Sequence, residues 1–191
     1  MLESLLYPKT VAVIGASRTP GKVGHEIVAN LKNAGFEGEI LPVNPAAEEV
    51  LGLRCYPDLK TAEHKVDLSV ISVPATRVQA AIEASIAAGA KAITVITAGF
   101  KEVGEEGADL EKRIAKLCRS RGVRMLGPNC LGLINTDHKM NASFASQMPR
   151  RGGISVVSQS GALGTAILDW ATGRGIGLVK HIRIGNKADL S

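Results

Sequence analysis

Short runs of β-branched residues alternate with helical patterns through the first 130 residues of the chain. Alternation of this kind is typical of repeated βαβ units, in which parallel strands are joined by helices that cover both faces of a sheet. The pattern predicts strands over residues 10–14, 39–43, 67–72, 92–97 and 123–126. We therefore predict an α/β fold with a doubly wound parallel sheet.

Three helices are predicted between these strands, because apolar residues recur there at spacings of three and four. The repeating residues are Val23, Ile27 and Leu31 in the first helix, Val78, Ala81, Ile82, Ser85 and Ile86 in the second, and Leu110, Ile114 and Leu117 in the third. Thr76 and Gln79 have the spacing of a capping box at the start of the second helix. Gly89 and Gly122 suit the residues that follow the ends of the second and third helices.

The periodicity stops at a polar stretch, residues 135–151, and restarts after it. We interpret this stretch as a linker or an ordered crossing loop between a domain at 1–134 and a second region at 152–191. The second region predicts a strand at 154–157, a helix lined by Leu163, Ala166, Ile167 and Trp170, and a strand at 179–184. A lone βαβ unit of about 40 residues cannot enclose its own core, so we expect the chain to be part of a longer protein.

Composition limits the classes of protein to which the chain can belong. Hydrophobic residues make up 45% of the chain and charged residues 21%, without an apolar run long enough for a membrane span, so a soluble, cytoplasmic protein without a membrane partner is expected. Cys55, Cys118 and Cys130 have neither metal-site nor disulfide-framework spacing, and we predict three reduced thiols and no metal. The net charge of +5 favours anionic partners, but the six aromatic residues do not alternate with basic ones, which argues against nucleic acid.

A glycine-containing turn, VIGASRTPGKVG at residues 13–24, joins the first predicted strand to the first helix. Backbone N–H groups in such a turn, together with the helix N-terminus, favour a phosphate group. A dinucleotide site would need an acidic residue at the end of the second strand, where this chain has Asn44. A Walker A loop would need Ser or Thr after Lys22, where this chain has Val23. The loop is therefore predicted to bind a phosphate compound of another kind.

Another predicted strand–turn–helix segment, VVSQSGALG at residues 156–164, has the same design as the first loop. It predicts a site for inorganic phosphate or a phosphoryl group formed by Ser158, Gln159, Ser160, Gly161 and Ala162. A serine-hydrolase elbow is a weaker alternative, since the glycine two residues before Ser160 is absent. A simple serine-capped helix is the other alternative.

Five segments of the chain, taken in order, resemble one known family. They are VAVIGASRTPGKVGHEI, LPVNPAAEEVLGLRCYPDL, ITAGFKEVGEEG, MLGPNCLG and ISVVSQSGALGTAILDWATGRGIG, and the resemblance runs from about residue 5 to residue 191. Together they closely resemble the N-terminal half of ADP-forming acyl-CoA synthetases, which are relatives of the succinyl-CoA synthetase α subunit. The resemblance implies a Rossmann-like CoA-binding domain followed by the first part of a flavodoxin-like succinyl-CoA-ligase domain.

The resemblance also implies which residues hold CoA. In the first loop these are Gly15, Ala16, Ser17, Arg18, Lys22, Val23 and Gly24, where Lys22 and Arg18 would neutralise CoA phosphates. At the ends of the following strands they are Asn44, Pro45, Ser72, Val73, Pro74, Thr97, Ala98 and Gly99, with residues 127–130 near the thiol end. Purely structural alternatives stay open: Asn44 as a helix N-cap before Pro45, Pro74 as a turn former, Lys22 as a solvated charge, and Cys130 as a packed side chain.

The resemblance implies the reaction of acyl-CoA, ADP and phosphate to give acid, CoA and ATP through acyl-phosphate and phosphohistidine intermediates. None of the four histidines, at positions 25, 64, 138 and 181, lies in the phosphohistidine context of the family, so no catalytic residue is expected in this chain. That histidine, and the ADP/ATP site with its magnesium, are expected in further domains or in a β-type nucleotide-grasp subunit.

The residues at the end of the fourth strand, Thr97, Ala98 and Gly99, resemble the acetate-type branch of the family, so a small monocarboxylate is the expected acid. Two other interpretations stay open. One is a CoA-sensing, ligase-like module of a protein lysine acetyltransferase, and the other is a stand-alone CoA-binding protein.

Overall fold

The computed structural model describes residues 2–190. Met1, the first residue of the predicted domain at 1–134, and Ser191, the last residue of the predicted region at 152–191, lie outside the described residues. The first part of the chain alternates strands and helices as predicted, and the five predicted strands are confirmed to within two residues at each end. The elements are α1 (Glu3–Leu6), β1 (Thr10–Ile14), α2 (Val23–Asn33), β2 (Glu39–Val43), β3 (Glu49–Val50), β4 (Leu53–Arg54), α3 (Leu59–Ala62), β5 (Leu68–Ile71), α4 (Ala75–Ala87), β6 (Ala92–Val95), α5 (Glu105–Ser120) and β7 (Arg124–Leu126).

Five parallel strands form the central sheet in the order β2–β1–β5–β6–β7. Side chains of β1 alternate between the two faces: Val11 and Val13 pack with α2, whereas Ala12 and Ile14 belong to the core beneath α4 and α5. The strand order reverses between β1 and β5, which is where open α/β sheets form a ligand crevice. Within residues 2–190, no helix combines the length and the apolar character needed to cross a bilayer.

The start of α4 differs from the sequence interpretation. Pro74 occupies the N-cap position without a side-chain cap, so the capping box of Thr76 and Gln79 was wrong. Gln79 instead donates to Glu83 one turn later, at 3.1 Å. Gly89 follows the helix with a φ of +94°, which confirms its predicted left-handed conformation.

A second, mixed sheet follows the first. Its elements are β8 (Gly132–Asn135), β9 (Met140–Ser143), β10 (Ile154–Ser158), α6 (Gly161–Gly173) and β11 (Leu178–Arg183), and its strand order is β10–β11–β8–β9. Residues 140–143, which the polar composition placed in a linker or crossing loop, therefore form a strand. Met140 and Ala142 pack with the α2 face of the first sheet, whereas Ile134 packs with Leu168 of α6. The division of the chain into domains at 134 and 152 stays a prediction.

Helix α6 contacts its sheet through a different face from the predicted one. Leu163 and Trp170 are 56% and 58% exposed, while Gly164, Leu168 and Ala171 are buried. A Cβ on Gly164 would be 3.5 Å from Ser158, an ordinary van der Waals distance, so Gly164 packs next to the end of β10. The larger apolar side chains of Leu163 and Trp170 lie on the other, exposed face of the helix.

All three cysteines are unpaired and buried. Burial raises the pKa of Cys118 and of Cys130 to about 12, and it also raises the pKa of Cys55. The Cys130 thiol donates to the carbonyl oxygen of Val95 at 3.3 Å. These observations support the interpretation of Cys130 as a packed side chain.

At pH 8 a thiol with a pKa of 12 is ionised in about one molecule in 10,000, and the thiolate is the reactive form. We therefore expect iodoacetamide to modify Cys118 and Cys130 at least a hundredfold more slowly in the folded protein than in guanidinium chloride. Mass spectrometry of tryptic peptides measures each site separately. Rapid alkylation of Cys130 in the folded protein at pH 8 would contradict the assignment.

Helix α5 begins against the backbone that follows β6. A Cβ on Gly107 would lie 2.0 Å from the carbonyl oxygen of Phe100, whose side chain is fully buried. We expect Gly107→Ala to lower the free energy of unfolding by about 1–3 kcal/mol, because the helix must move away from this backbone. The control is Gly173→Ala at the end of α6, where no atom lies within 4 Å of the added Cβ. This control is expected to be neutral or stabilising by up to about 1 kcal/mol in urea titrations, and an equal loss in both variants would refute the steric explanation.

Candidate functional site

The loop between β1 and α2 lies directly against the start of α2. A Cβ on Gly24 would be 1.9 Å from the carbonyl oxygen of Gly15, and a Cβ on Gly15, whose φ is +92°, would be 2.8 Å from the carbonyl oxygen of Ser72. Both positions therefore require glycine. Lys22 is the N-cap residue of α2 with an extended backbone, so the first N–H groups of the helix, at Val23 and Gly24, are directed toward the end of β1.

Side chains from α2 hold the loop in this conformation. His25, which is buried, lies with Nδ1 2.9 Å from the carbonyl oxygen of Ser17, so Nδ1 carries the proton and donates. The Ser17 hydroxyl accepts from the amide of Thr19 at 3.1 Å, and Glu26 accepts from the amide of Gly21 at 2.8 Å. The loop is thus ordered by the protein itself.

Asn44, at the end of β2, connects two loops. Its Nδ2 donates to the carbonyl oxygen of Ala16 at 2.6 Å, and its Oδ1 accepts from the amide of Ala46 at 2.8 Å. The residues after Pro45 lead into the hairpin of β3 and β4 and not into a helix, so the interpretation of Asn44 as a helix N-cap was wrong. Its hydrogen bonds instead fix the spacing between the first loop and the end of β2.

A cavity of about 520 Å³ opens where these loops meet the end of β5. Six predicted ligand residues line it: Gly15, Asn44, Pro45, Ser72, Val73 and Pro74. Its remaining walls are largely apolar, with Leu59 from α3, Ala81 from α4 and Ile14 from β1 among them, and they include one acidic residue, Asp58, and one basic residue, Arg77. A largely apolar cavity with an arginine in its lining suits a flat, uncharged ring attached to an anionic group.

A wider cleft of about 910 Å³ lies beside this cavity and shares Pro45 with it. Two arginines line the cleft, Arg18 from the first loop and Arg54 from β4, together with Glu48 and Glu49. The Arg54 guanidinium lies 5.0 Å from the centroid of the Tyr56 ring, which restricts its position. Arg18, a predicted ligand residue, thus lines the cleft, and so does Arg54, which was not predicted because it lies on a two-residue strand with no periodic pattern.

The predicted residues Thr97, Ala98 and Gly99 follow β6 and line neither cavity. They are nevertheless connected to the first group, since the Thr97 hydroxyl donates to the carbonyl oxygen of Val73 at 2.7 Å. On the other side, the amide of Asn129 donates to the carbonyl oxygen of Thr97 at 2.9 Å. The ends of β5, β6 and β7 therefore form one continuous edge that extends away from the cavity.

The turn between β10 and α6 contains the second predicted group: Ser158, Gln159, Ser160, Gly161 and Ala162. The Ser160 hydroxyl accepts from the amide of Leu163 at 3.3 Å, so this serine caps the helix, as the capped-helix alternative expects. The Ser158 hydroxyl donates to the carbonyl oxygen of Ser160 at 3.1 Å.

Arg183, at the end of β11, adds a positive charge to this turn. A Cβ on Gly161 would lie 2.1 Å from the Arg183 guanidinium, so only glycine allows the guanidinium to lie at the start of α6. Arg183 Nε is buried and has no hydrogen-bond partner within residues 2–190. A helix N-terminus beside a guanidinium suits a phosphate-sized anion. Sequence reasoning missed Arg183, although its place at the end of a strand that pairs with β10 was a usable signal.

The histidines are held by backbone groups or lie at the surface. His181 is buried with Nε2 2.9 Å from the carbonyl oxygen of Gly164, and burial lowers its pKa, so the ring is neutral and donates from Nε2. His138 lies 2.7 Å from the carbonyl oxygen of Pro8, and the exposed His64 pairs with Glu39. Within residues 2–190, no three His, Cys, Asp or Glu side chains are grouped closely enough to hold a metal ion.

Comparisons with known proteins show the family of the chain. Residues 9–136 match the family described as the CoA binding domain, and residues 151–191 match the succinyl-CoA ligase like flavodoxin domain. The chain is 47% identical over 189 residues to the ADP-forming acetate–CoA ligase I of Archaeoglobus fulgidus, covering 99% of this chain and 27% of that protein. It is 41% identical over 193 residues to the alpha subunit of ADP-forming acetate–CoA ligase I of Pyrococcus furiosus, covering 99% of this chain and 42% of that subunit.

A solved structure of the acetyl-coenzyme A synthetase 1 of Ca. Korarchaeum cryptofilum, in complex with phosphate and ADP, is also similar. Its TM-score is 0.96 at 42% identity, and the match covers all of this chain and 41% of that one. The chain thus spans less than half the length of these relatives, and the predicted α/β fold, a Rossmann-like sheet followed by the start of a flavodoxin-like domain, is confirmed. The chain belongs to the CoA-binding domain family and continues into the flavodoxin-like domain of the succinyl-CoA ligases.

Proposed function

We propose that this chain binds CoA along the carboxyl edge of its first sheet, as the CoA-binding part of an ADP-forming acid–CoA ligase. The observation that carries the proposal is the position of the α2 N-terminus, which faces the glycine loop beside the 520 Å³ cavity. CoA combines an apolar ring, a diphosphate and an additional 3′-phosphate, and the edge offers a cavity, a helix N-terminus and several basic residues in matching order.

The cavity accepts the adenosine in this arrangement, and the loop accepts the diphosphate. The diphosphate would receive hydrogen bonds from the loop and the first helical amides, with Ser17 and the exposed Lys22 beside it. The residues proposed for this half of the ligand are Gly15, Ala16, Ser17, Arg18, Lys22, Val23, Gly24, Asn44, Pro45, Ser72, Val73 and Pro74. Arg18, Arg54 and Arg77 surround the two openings and would pair with the 3′-phosphate.

The pantetheine arm would extend along the edge over β6 and β7. Thr97, Ala98 and Gly99 lie next along that edge, followed by residues 127–130, and this order supports a position of the thiol toward β7. Cys130 does not take part in chemistry there, because its thiol is buried and un-ionised near neutral pH.

The turn at Ser158–Ala162, with Arg183, is proposed to hold inorganic phosphate. In the overall reaction a phosphate oxygen attacks the acyl carbon of acyl-CoA, the C–S bond breaks, and the thiolate leaves as CoA while an acyl phosphate forms. The acyl phosphate then transfers its phosphoryl group through a histidine to ADP, which yields ATP and the free acid. The residues of this chain bind and orient the reactants, whereas the histidine, ADP and magnesium are proposed to belong to other domains or to a nucleotide-grasp subunit. The name of the Pyrococcus relative, an alpha subunit, supports the existence of a further subunit.

The names of the relatives favour a ligase over a sensing module of an acetyltransferase or a stand-alone CoA-binding protein, and they favour acetate or a similar small monocarboxylate. A cytoplasmic location is part of the proposal, supported by the three unpaired thiols, since disulfides are rare in that compartment.

Isothermal titration with CoA, dephospho-CoA and NAD tests the binding proposal. CoA is expected to bind more tightly than dephospho-CoA, because only CoA carries the 3′-phosphate, and far more tightly than NAD, because the end of β2 lacks an acidic residue for the ribose. Lys22→Met removes one charge beside the diphosphate and is expected to weaken CoA binding about tenfold, or about 1.4 kcal/mol.

The matched control is Lys112→Met, which removes the same charge from a side chain that is 78% exposed on α5, a helix on the opposite face of the sheet from α2. Its affinity for CoA is expected to equal that of the unaltered protein. Tighter binding of NAD than of CoA, or equal losses in the two lysine variants, would overturn the proposal.

A further inference from the structure

The segment after β11 returns to the first sheet and binds the backbone at the end of β7. The amide of Asn186 donates to the carbonyl oxygen of Pro128 at 2.9 Å, and the amide of Ala188 donates to the carbonyl oxygen of Gly127 at 3.2 Å. Asp189 accepts from the amide of Met125 at 2.9 Å. The segment that follows Arg183, the arginine beside the phosphate turn, is thus fixed to the edge along which we place CoA.

The side chain of Asn186 joins two carboxylates. Its Nδ2 donates to Glu102 Oε2 at 2.6 Å and to Glu111 Oε2 at 2.8 Å, which uses both of its N–H groups. Lys101 pairs with Glu111 at 3.3 Å and also donates to the Asn186 carbonyl oxygen. Asn186 and Glu111 are 7% and 6% exposed, so the hydrogen bond between these two side chains is formed away from solvent, where a lost partner is costly, whereas Glu102 is exposed.

Glu102 transmits this contact to the predicted CoA loop. Its other oxygen, Oε1, accepts from the amide of Gly99 at 2.7 Å. Partial burial alone would raise the pKa of Glu102, but hydrogen bonds from Asn186 and from the backbone of the loop keep it below its usual value, so the carboxylate stays charged. Asn186 therefore donates to the Glu102 carboxylate, and that carboxylate accepts from the loop at Gly99.

A second path connects Asn186 to the same edge. Asn129 Nδ2 lies 3.4 Å from Asn186 Oδ1, and the Asn129 amide donates to Thr97, whose hydroxyl donates to Val73. Asn186 also follows Arg183 by only three residues, and Arg183 lies at the phosphate turn. The two proposed sites are therefore connected through a short, hydrogen-bonded segment in which Gly185 and Asn186 are buried.

We propose that Asn186 is a positioning residue that, through Glu102, sets the loop at Thr97–Gly99 beneath the pantetheine arm and fixes it relative to the phosphate turn. This proposal rests on the proposed CoA site. It deepens that site by assigning a role to a residue of the second sheet region that touches neither the adenosine cavity nor the diphosphate loop.

A comparison of two ligands tests the role in the full chain. Asn186→Ala is expected to weaken binding of CoA about tenfold, while binding of adenosine 3′,5′-bisphosphate, which lacks the pantetheine arm, stays unchanged. Glu102→Ala removes the same connection from the other side without altering the segment after β11. It is expected to shift the ratio of the two affinities in the same direction.

The matched control is Asp189→Asn. Asp189 anchors the same segment through ion pairs with Arg124 at 2.9 Å and with Arg119 at 3.2 Å. Within residues 2–190, its ion pairs and hydrogen bonds involve neither Glu102 nor Gly99. This variant is expected to lower the urea midpoint of unfolding while leaving the affinity ratio as it is. A role limited to general stabilisation would instead give the same ratio in all three variants.

Amide hydrogen exchange at Gly99 supplies a readout that does not depend on CoA. Exchange is expected to accelerate about tenfold or more in Asn186→Ala and Glu102→Ala, and to stay unchanged in Asp189→Asn. Unchanged exchange in the first two variants, or equal acceleration in all three, would overturn the positioning role. If the unaltered protein bound no CoA, the proposed function would fail, whereas the exchange experiment would still decide whether Asn186 positions the loop.

Discussion

The contact on which the site depends is the packing of helix α2 against the end of strand β1. With only 1.9 Å between the carbonyl oxygen of Gly15 and the position of a Cβ on Gly24, no side chain fits between helix and loop. The contact brings the positive end of the helix to the crevice where the strand order reverses. Asn44 and His25 then hold the loop from two sides, so the conformation of the loop is fixed by the protein's own hydrogen bonds.

Much of this arrangement could be predicted from the sequence, because its causes are local. The five parallel strands are short β-branched runs, the helices between them have regular apolar faces, and the glycines at 15 and 24 mark the turn. Residues that follow neighbouring parallel strands meet at one edge, so six of the predicted ligand residues line a single cavity.

The parts that sequence reasoning missed depend on contacts between distant residues. Asn44 precedes a proline and has the local pattern of a helix cap, but its side chain is used to bridge to Ala16, 28 residues earlier. The large apolar residues of α6 predict its buried face, but the face that is buried contains Gly164, Leu168 and Ala171. Arg183 lies beside the start of α6, and Asn186 donates to Glu102 and Glu111; no periodic pattern marks either residue.

The hairpin of β8 and β9 has a consequence for how the chain unfolds. Its strands complete the second sheet, yet Met140 and Ala142 belong to the core around α2. Neither region can lose its structure without exposing apolar surface of the other. We therefore expect the two regions to unfold as one cooperative unit. The boundary between the two matched families is then a packed interface and not a flexible hinge.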